Sequence, residues 1–409
     1  MSPFPSLVTE VAHRCRSAGG RAWLVGGGVR DHLLGREVHD WDLEVYGIPE
    51  PALERLLAKI GPVNAVGRSF GVYKIRKGTT ELDVSLPRRD SKVGPGHRGI
   101  GVAGDPFMEP KEATRRRDLT INAILWDPLT SEYVDPWNGK VDIERKILKA
   151  VDSKTFLEDP LRALRVIQFT ARLDFDVHPS LSALCAEAAL HELPAERILG
   201  EWSKLLLLGV RPSRGIQLAV ETGIWRTLFP DWEADPRALC DPLDRFATEV
   251  RKEVSPEGRQ LALALVVLMH GQSQFSIERA LTRLGIHRWA GFPCRDKVLT
   301  ALKAWNIPLN TDTDLRRASV DAELGLLLRA KQILGQNAAP AQRAAELGVE
   351  WAAPEPLLKG RDLTGWGVPP GKAMGQLLGL VYAMQLEGAV ASPAEAQTAA
   401  QRLLQEAAG

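Results

Sequence analysis

The stretch Leu24–Asp42, LVGGGVRDHLLGREVHDWD, constrains the fold more than any other part of the chain. A short apolar run ends in three glycines, a helix-like segment follows, and two aspartates then stand one residue apart. A glycine turn lets backbone N–H groups approach a triphosphate. Aspartates at i and i+2 on a strand point to the same face, so Asp40 and Asp42 can share a divalent metal. Together these features suit an enzyme that attacks the α-phosphorus of a nucleoside triphosphate. Either motif alone is common: most double glycines are tight turns and most Asp-x-Asp pairs are surface acids. Their conjunction at fixed spacing, between a strand and a helix, favours the chemical reading.

The rest of the N-terminal region extends this pattern. Arg21–Val25, Asp42–Tyr46, Gly71–Arg76 and Glu81–Leu86 read as strands, the last two joined by a turn at Lys77-Gly78. Val29–Leu34 opens a helix. The strands are short with quick returns, so a small mixed sheet beside helices is expected rather than a doubly wound parallel sheet. Ser91–Ala113, rich in Gly and Pro, reads as a loop of more than 20 residues, a length that is usually functional or mobile. From Phe156 the pattern is helical to the C-terminus, with breaks near Pro230–Pro242, Ser255–Gly258 and Pro354–Pro356.

The 409 residues imply two to four domains. There is no apolar run long enough for a membrane helix, so no membrane association is expected. The first 20 residues lack the apolar core of a signal peptide and read as an amphipathic helix ending at Gly19-Gly20. Four widely spaced cysteines without a CxxC pair argue against zinc and for a reducing, cytoplasmic setting. Net charge is only +1, but Arg68–Arg117 holds 12 Lys/Arg against 6 Asp/Glu. That patch could follow a phosphate backbone, although on charge alone a solvated surface is the simpler reading.

Three further clusters carry chemistry. A two-metal site wants a third carboxylate, and Asp83 at the centre of ELDVSL is the best placed; as a residue alone it could equally be an ordinary exposed strand acid. In Arg115–Asn122 (RRRDLTIN), an arginine fork and an aspartate acceptor could grip ribose and phosphate, or merely begin a basic helix. In Glu158–Arg172 (EDPLRALRVIQFTAR), Glu158, Asp159 and Arg162 are spaced to meet on one helix face, with Arg165 one turn on. That is either a salt-bridge ladder or a protein-side template of the donor and acceptor types used to read base edges.

With these motifs in order, the sequence closely resembles the bacterial class II tRNA nucleotidyltransferase/poly(A) polymerase family over roughly residues 20–240. The motifs are GGGVRDHLLG (26–35), DWD (40–42), RRDLTINA (116–123), DPWNGKVDI (135–143), EDPLRALRVIQF (158–169) and ERILGEWSKLL (196–206). The resemblance implies an α/β nucleotidyltransferase-type palm domain at the N-terminus followed by all-α neck, body and tail domains. Their expected bounds are 1–125, 126–175, 176–250 and 251–409. It implies that Asp40 and Asp42 bind Mg²⁺, with Asp83 assisting deprotonation of a 3′-hydroxyl. It gives Gly27 and Arg30 to the triphosphate, and Arg117 and Asp118 to the ribose. Asp159 and Arg162 would select CTP or ATP, with Glu158 orienting them and Arg165 supporting the nucleotide. Asp135–Asp142 looks like the hinge between head and neck.

The implied activity is template-independent addition of CCA, or of the terminal A, to the 3′ end of tRNA from CTP and ATP, with release of pyrophosphate. Alternatives are an A-only enzyme working with a separate CC-adding enzyme, a poly(A) polymerase, and a non-catalytic RNA-binding protein. The last would be expected to lose a carboxylate, and all three are present. CC-only relatives tend to lack the flexible loop that Ser91–Ala113 supplies here, with glycines at 94, 96, 99, 101 and 104. Three departures stand out. Gln168 replaces an arginine usual in the EDxxR helix. His270 is followed by Gly271, so the His-Asp pair of a phosphohydrolase tail is broken. Ile143 replaces a leucine.

Overall fold

The computed structural model describes residues 4–38, 40–64, 72–92 and 100–408, which fall into two compact units, Met1–Pro230 and Asp231–Gly409. In the first unit, α1 (Ser6–Ser17) buries Leu7, Val8, Val11, Ala12 and Cys15. It leads through Gly19, at φ 84°, into β1 (Arg21–Val25). There follow α2 (Gly27–Leu33), β2 (Asp42–Tyr46), α3 (Glu50–Ala58), β3 (Val63–Asn64), β4 (Val72–Lys77) and β5 (Thr80–Ser85). With the later β8 (Leu125–Trp126) and β9 (Tyr133–Val134) they form one mixed sheet of order β3-β4-β5-β2-β1-β8-β9. Only the β2–β5 pairing in it is parallel. The small mixed sheet beside helices is therefore as the sequence implies.

Register fixes what lies on each face, because directly paired residues point the same way. Val25, Trp23 and Arg21 pair with Asp42, Glu44 and Tyr46. Apolar members of this face, Trp23, Val25 and Tyr46, pack with Met108, Ala113 and Leu125. Residues of the opposite parity, Leu24, Leu43, Val45 and Val84, are fully buried, and α1 packs against β1, β5 and α3.

The Ser91–Ala113 segment corrects one expectation. β6 (Arg88–Lys92) and β7 (Ile100–Gly104) form an antiparallel pair, and α4 (Pro110–Arg115) begins before the predicted loop would end. Gly94, Gly96 and Gly99 lie outside the described residues, while Gly101 and Gly104 lie on β7. Glycine-rich sequence carries little strand preference of its own, so here the neighbouring strand supplies the order.

Past α5 (Gly139–Glu144) the first unit is helical, apart from a two-residue parallel pair of β10 (Ile147–Leu148) and β11 (Asp176–Val177). α6 (Ser153–Leu157) starts at an Asp152 cap that accepts from the Lys154 and Thr155 N–H groups. α7 (Leu161–Leu173) packs against α9 (Ala195–Leu208) and α10 (Pro212–Glu221), with α8 (Pro179–Glu187) alongside and α11 (Ile224–Leu228) closing the unit. Gly215 is required at the α7–α10 crossing: a Cβ there would lie 2.9 Å from the Ile167 carbonyl oxygen.

The second unit is wholly helical among its described residues. After the short α12 (Cys240–Arg245) comes α13 (Glu257–Met269), in which every residue from Leu261 to Met269 is buried. α14 (Gln274–Leu284) follows, and α15 (Cys294–Lys303) packs on α13, as does α17 (Leu324–Ile333), which follows α16 (Asp312–Asp321). Beyond α18 (Ala339–Glu346) and α19 (Gly360–Gly365), α20 (Lys372–Glu387) and α21 (Pro393–Ala408) share a core of Met374, Leu377, Val381, Ala396 and Ala400. No helix among the described residues is long and apolar enough to cross a membrane. All four cysteines are free and buried.

Candidate active site

The carboxylates come first, because strand pairing alone gathers them. Trp41 is buried while Asp40 and Asp42 on either side are exposed, so the alternation read in DWD holds across the start of β2. Parallel pairing of β2 with β5 sets Asp83 directly beside Asp42. Antiparallel pairing of β5 with β4 sets Lys74 beside Asp83 on its other side. The Lys74 ammonium donates to both Asp83 oxygens, at 2.8 and 3.2 Å, and to Glu81 at 3.2 Å. These residues and Trp41 line a cavity of about 390 Å³.

Although the Asp42 residue is solvent-accessible at the cleft, the protein packed around its carboxyl partly desolvates it and raises it above its ordinary range; Arg117 opposes the rise, and Asp83 and Asp40 add to it. The strand thus accumulates like charge facing open space. That suits a site for a divalent cation, since hard oxygen donors are the ligands such ions take. Among the described residues no three acidic, histidine or cysteine side chains already converge around a metal position. Lys74 was missed in the sequence. The turn read at Lys77-Gly78 lies instead at Gly78-Thr79, so Lys77 pairs with Thr80 and Lys74 stands opposite Asp83 rather than Glu81.

The glycine turn lies against this strand. Gly26 has φ 75° and ψ −141°, a conformation that disfavours any side chain. A Cβ there would sit 3.3 Å from an Arg117 nitrogen and 3.6 Å from an Asp42 oxygen. Gly28 is pinned by space rather than dihedral, since its Cβ would meet the Asp40 carbonyl at 2.9 Å. Gly27 stands at the first position of α2. Arg30 does not reach outward. It is buried, donating to Asn122 Oδ1 at 2.8 Å and to both Asp31 oxygens at 2.9 and 2.8 Å, with its guanidinium 4.9 Å from the Phe169 ring centroid.

The RRDLTIN segment joins the parts. Arg116 Nη2 donates to Glu44 Oε1 at 2.9 Å. Arg117 sits between the Gly26 turn and Asp42; burial lowers its guanidinium from the ordinary range against the pull of Glu44, and its Nε is buried without a partner. Asp118 is 8% exposed. Its Oδ1 accepts from the Leu119 N–H at 2.8 Å and Asn122 at 3.0 Å, and its Oδ2 accepts from Arg165 Nε at 2.7 Å. Burial alone would raise this carboxyl, but Arg165, Asn122 and the backbone outweigh it and bring it down to about 2.

A carboxyl lowered by folding stabilises the fold above its unfolded value and loses that contribution as pH falls toward the folded value. The drop from 3.8 to about 2 corresponds to roughly 2 kcal/mol. Asp118→Asn should therefore cost about 2 kcal/mol at pH 5 to 7, a gap that closes between about pH 4 and pH 2. Urea denaturation of both proteins across that range checks it; a gap independent of pH would contradict the assignment.

The template helix needs correction at its start. Glu158 is the C-cap of α6, and Asp159 precedes α7, accepting from the Leu161 N–H at 3.1 Å. Neither stands on the helical face that carries Arg162. Pro160 ends the helical spacing on its N-terminal side, because it must occupy the first turn. Arg162 donates from Nη1 to the Thr155 carbonyl at 2.8 Å and from Nη2 to the Arg116 carbonyl at 2.5 Å. Asp159 also pairs with Arg197 at 3.4 Å, a residue of the ERI motif that carries no role in the motif reading above.

The three departures are each accommodated. Gln168 is buried and accepts from Arg172 at 3.2 Å. His270 caps α13 and packs 4.8 Å from the Trp305 ring. Ile143 is buried in α5. The neighbouring Asp135 accepts from the Gly139 and Lys140 N–H groups, and Asp142 accepts from Thr120 Oγ1 at 2.6 Å.

Comparison with known proteins agrees with this geometry. The family model described as "Poly A polymerase head domain" matches residues 22–149, and that described as "Probable RNA and SrmB- binding site of polymerase A" matches residues 174–235. Among curated relatives, the "Multifunctional CCA protein" of Xanthomonas campestris pv. campestris (strain B100) is 35% identical over 223 residues, which cover 52% of each chain. That of Vibrio vulnificus (strain CMCP6) is 37% identical over 219 residues, 52% of this chain and 51% of the relative. The chain thus spans about half the length of the curated relatives it matches.

Among solved structures, the Bacillus stearothermophilus CCA-adding enzyme in complex with CTP superposes with a TM-score of 0.74 at 21% identity, covering 99% of both chains. The Thermotoga maritima CCA-adding enzyme complexed with tRNA gives 0.70 at 18% identity, covering 97% of this chain and 95% of that one. Fold and site define a nucleotidyltransferase-type palm followed by helical domains. Residues 22–149 match the poly(A) polymerase head family and residues 174–235 its RNA-binding family, and the chain shares the fold of the CCA-adding enzymes.

Proposed function

We propose that the chain is a template-independent nucleotidyltransferase that builds the CCA end of tRNA from CTP and ATP with release of pyrophosphate. The observation that carries this reading is the pairing of Asp42 with Asp83 on adjacent strands, beside a Gly26 turn against which Arg117 lies. Relatives that are multifunctional CCA proteins, and fold neighbours that are CCA-adding enzymes in complex with CTP, tRNA and ATP, support it.

Asp40 and Asp42 would hold a divalent cation, which we take to be Mg²⁺; when bound, it supplies charge neutralisation at the α-phosphate and alignment for in-line attack. Asp83 accepts the proton of the attacking tRNA 3′-hydroxyl through a lone pair that Lys74 leaves open. Lys74 holds that carboxylate at the cleft edge. Gly26 and Gly27 keep side chains away from the incoming phosphates, and Arg117 offers them a guanidinium. Arg30 acts from beneath, tying α2 to Asn122. Asp118, with three acceptor positions already taken, fixes Arg165 rather than gripping ribose directly. Arg162 and Asp159 present donor and acceptor edges to the base, and Glu158 sits at the turn that brings them together.

On this reading residues 1–125 form the head, 126–175 the neck, 176–250 the body and 251–409 a tRNA-binding tail. The four free, buried cysteines suit the cytoplasm. A tRNA transcript lacking its CCA end, incubated with CTP, ATP and Mg²⁺, should grow by three nucleotides, with CTP consumed before ATP. A transcript that does not grow would defeat the proposal. Growth only of a transcript already ending in CC would assign the A-only activity, with CC supplied by a separate enzyme.

A further inference from the structure

We infer that Glu44 is a positioning residue for base selection, acting through Arg116 on Arg162; the inference rests on the function proposed above. β2 sets Asp42, Glu44 and Tyr46 on one face, running from the open cleft into the protein. Asp42 is exposed, whereas Glu44 is fully buried and Tyr46 nearly so. A buried carboxylate is costly unless both oxygens are engaged. Here Oε1 accepts from Arg116 Nη2 at 2.9 Å and Oε2 accepts from the Tyr46 hydroxyl at 2.7 Å.

The strand itself does not call for a charge at this position. Glu44 pairs across β1 with Trp23, and the same face is apolar around it, built from Trp23, Val25, Met108 and Leu125. An aliphatic side chain would pack there without a polar partner. What the carboxylate adds is a fixed seat for the Arg116 guanidinium. Arg116 is the C-cap of α4, and its backbone carbonyl accepts from Arg162 Nη2. Two carbonyls, those of Thr155 and Arg116, set the plane of the Arg162 fork. One of them belongs to a residue whose side chain is tied to the strand that begins with Asp42. A relay therefore runs from the carboxylate strand through Glu44 and Arg116 to the guanidinium that reads the base. Base reading by a planar fork is sensitive to small displacements, so the relay links specificity to the catalytic strand.

The test replaces both partners by apolar groups, because removing one would strand the other in the interior. The double variant Glu44→Leu/Arg116→Met is compared with wild type in tRNA extension, measuring kcat/KM for the correct and incorrect nucleotide at each step. Thermal melting is measured in parallel. The double variant leaves the Tyr46 hydroxyl without its acceptor and should melt somewhat below wild type while staying folded, and should lose about tenfold in discrimination, through KM more than kcat. Glu44→Gln keeps the shape and one acceptor but not the charge. It provides the same reading if the double variant does not fold, with a smaller loss of roughly threefold. Discrimination unchanged in a folded variant would show Glu44 to be structural only and overturn the inference, leaving the function intact. A wild-type chain that adds neither nucleotide would overturn the function and the inference with it.

Discussion

Asp42→Asn should abolish nucleotide transfer, with a loss of at least about 10³-fold in kcat, while the melting temperature rises. The two effects have one origin. Asp42 stands between Asp40 and Asp83 on the cleft face. Folding raises its carboxyl, through burial first and the neighbouring carboxylates after it, despite Arg117. A carboxyl raised by folding is a net cost to the folded state above that raised value, and the cost is relieved as pH falls through it. At neutral pH the cost is fully present, and asparagine removes it. The site is thus held together against its own repulsion for the sake of what it binds.

Divalent cation should restore the balance in the wild type. A ligand that binds only the folded state adds about 1.4 kcal/mol at tenfold excess over its Kd, visible as a rise in melting temperature with added Mg²⁺. The D42N protein should show little of that rise. Differential scanning fluorimetry with and without Mg²⁺ reads this independently of catalysis. Equal stabilisation of both proteins would remove Asp42 from the metal site.

Arg162→Ala should scramble nucleotide choice. A bidentate side-chain contact to a base edge is worth about 1–3 kcal/mol of discrimination, or roughly tenfold to a hundredfold. The alanine variant also loses two hydrogen bonds to the Thr155 and Arg116 carbonyls, so some stability should go with it. Steady-state kinetics with CTP and ATP offered singly separates the effects, since lost stability alone lowers both nucleotides equally. Unchanged discrimination would take Arg162 out of base reading.

Much of the site was legible in the sequence because local rules govern it. β1 and β2 fall where apolar runs meet the glycines and the aspartates, and β4 and β5 fall within a residue of their expected bounds, registered by a short turn. The turn falls one residue later than expected, at Gly78-Thr79, and that shift sets Lys74 opposite Asp83 rather than Glu81. What escaped was set by contacts distant in sequence. Arg30 looks like a phosphate ligand from its motif, yet Asn122, 92 residues on, draws it inward. Asp118 looks like a ribose acceptor, yet Arg165, 47 residues on, fills it. The spacing of Glu158 to Arg162 mimics a helix face, but Pro160 and the Asp159 cap start the helix at Leu161. β7 carries Ile100 and Val102 among glycines inside a Gly/Pro-rich stretch, and its pairing with β6 is what makes it a strand.

The most direct test of the account is single-nucleotide resolution of the products made on two transcripts of one tRNA, one ending before CCA and one ending in CC. Each is offered CTP alone, ATP alone and both. The account predicts that the shorter transcript gains two residues with CTP alone, gains three with both, and stays unextended with ATP alone, while the CC-ended transcript gains one residue from ATP. Long homopolymer tails from ATP, or extension of neither transcript, would contradict it.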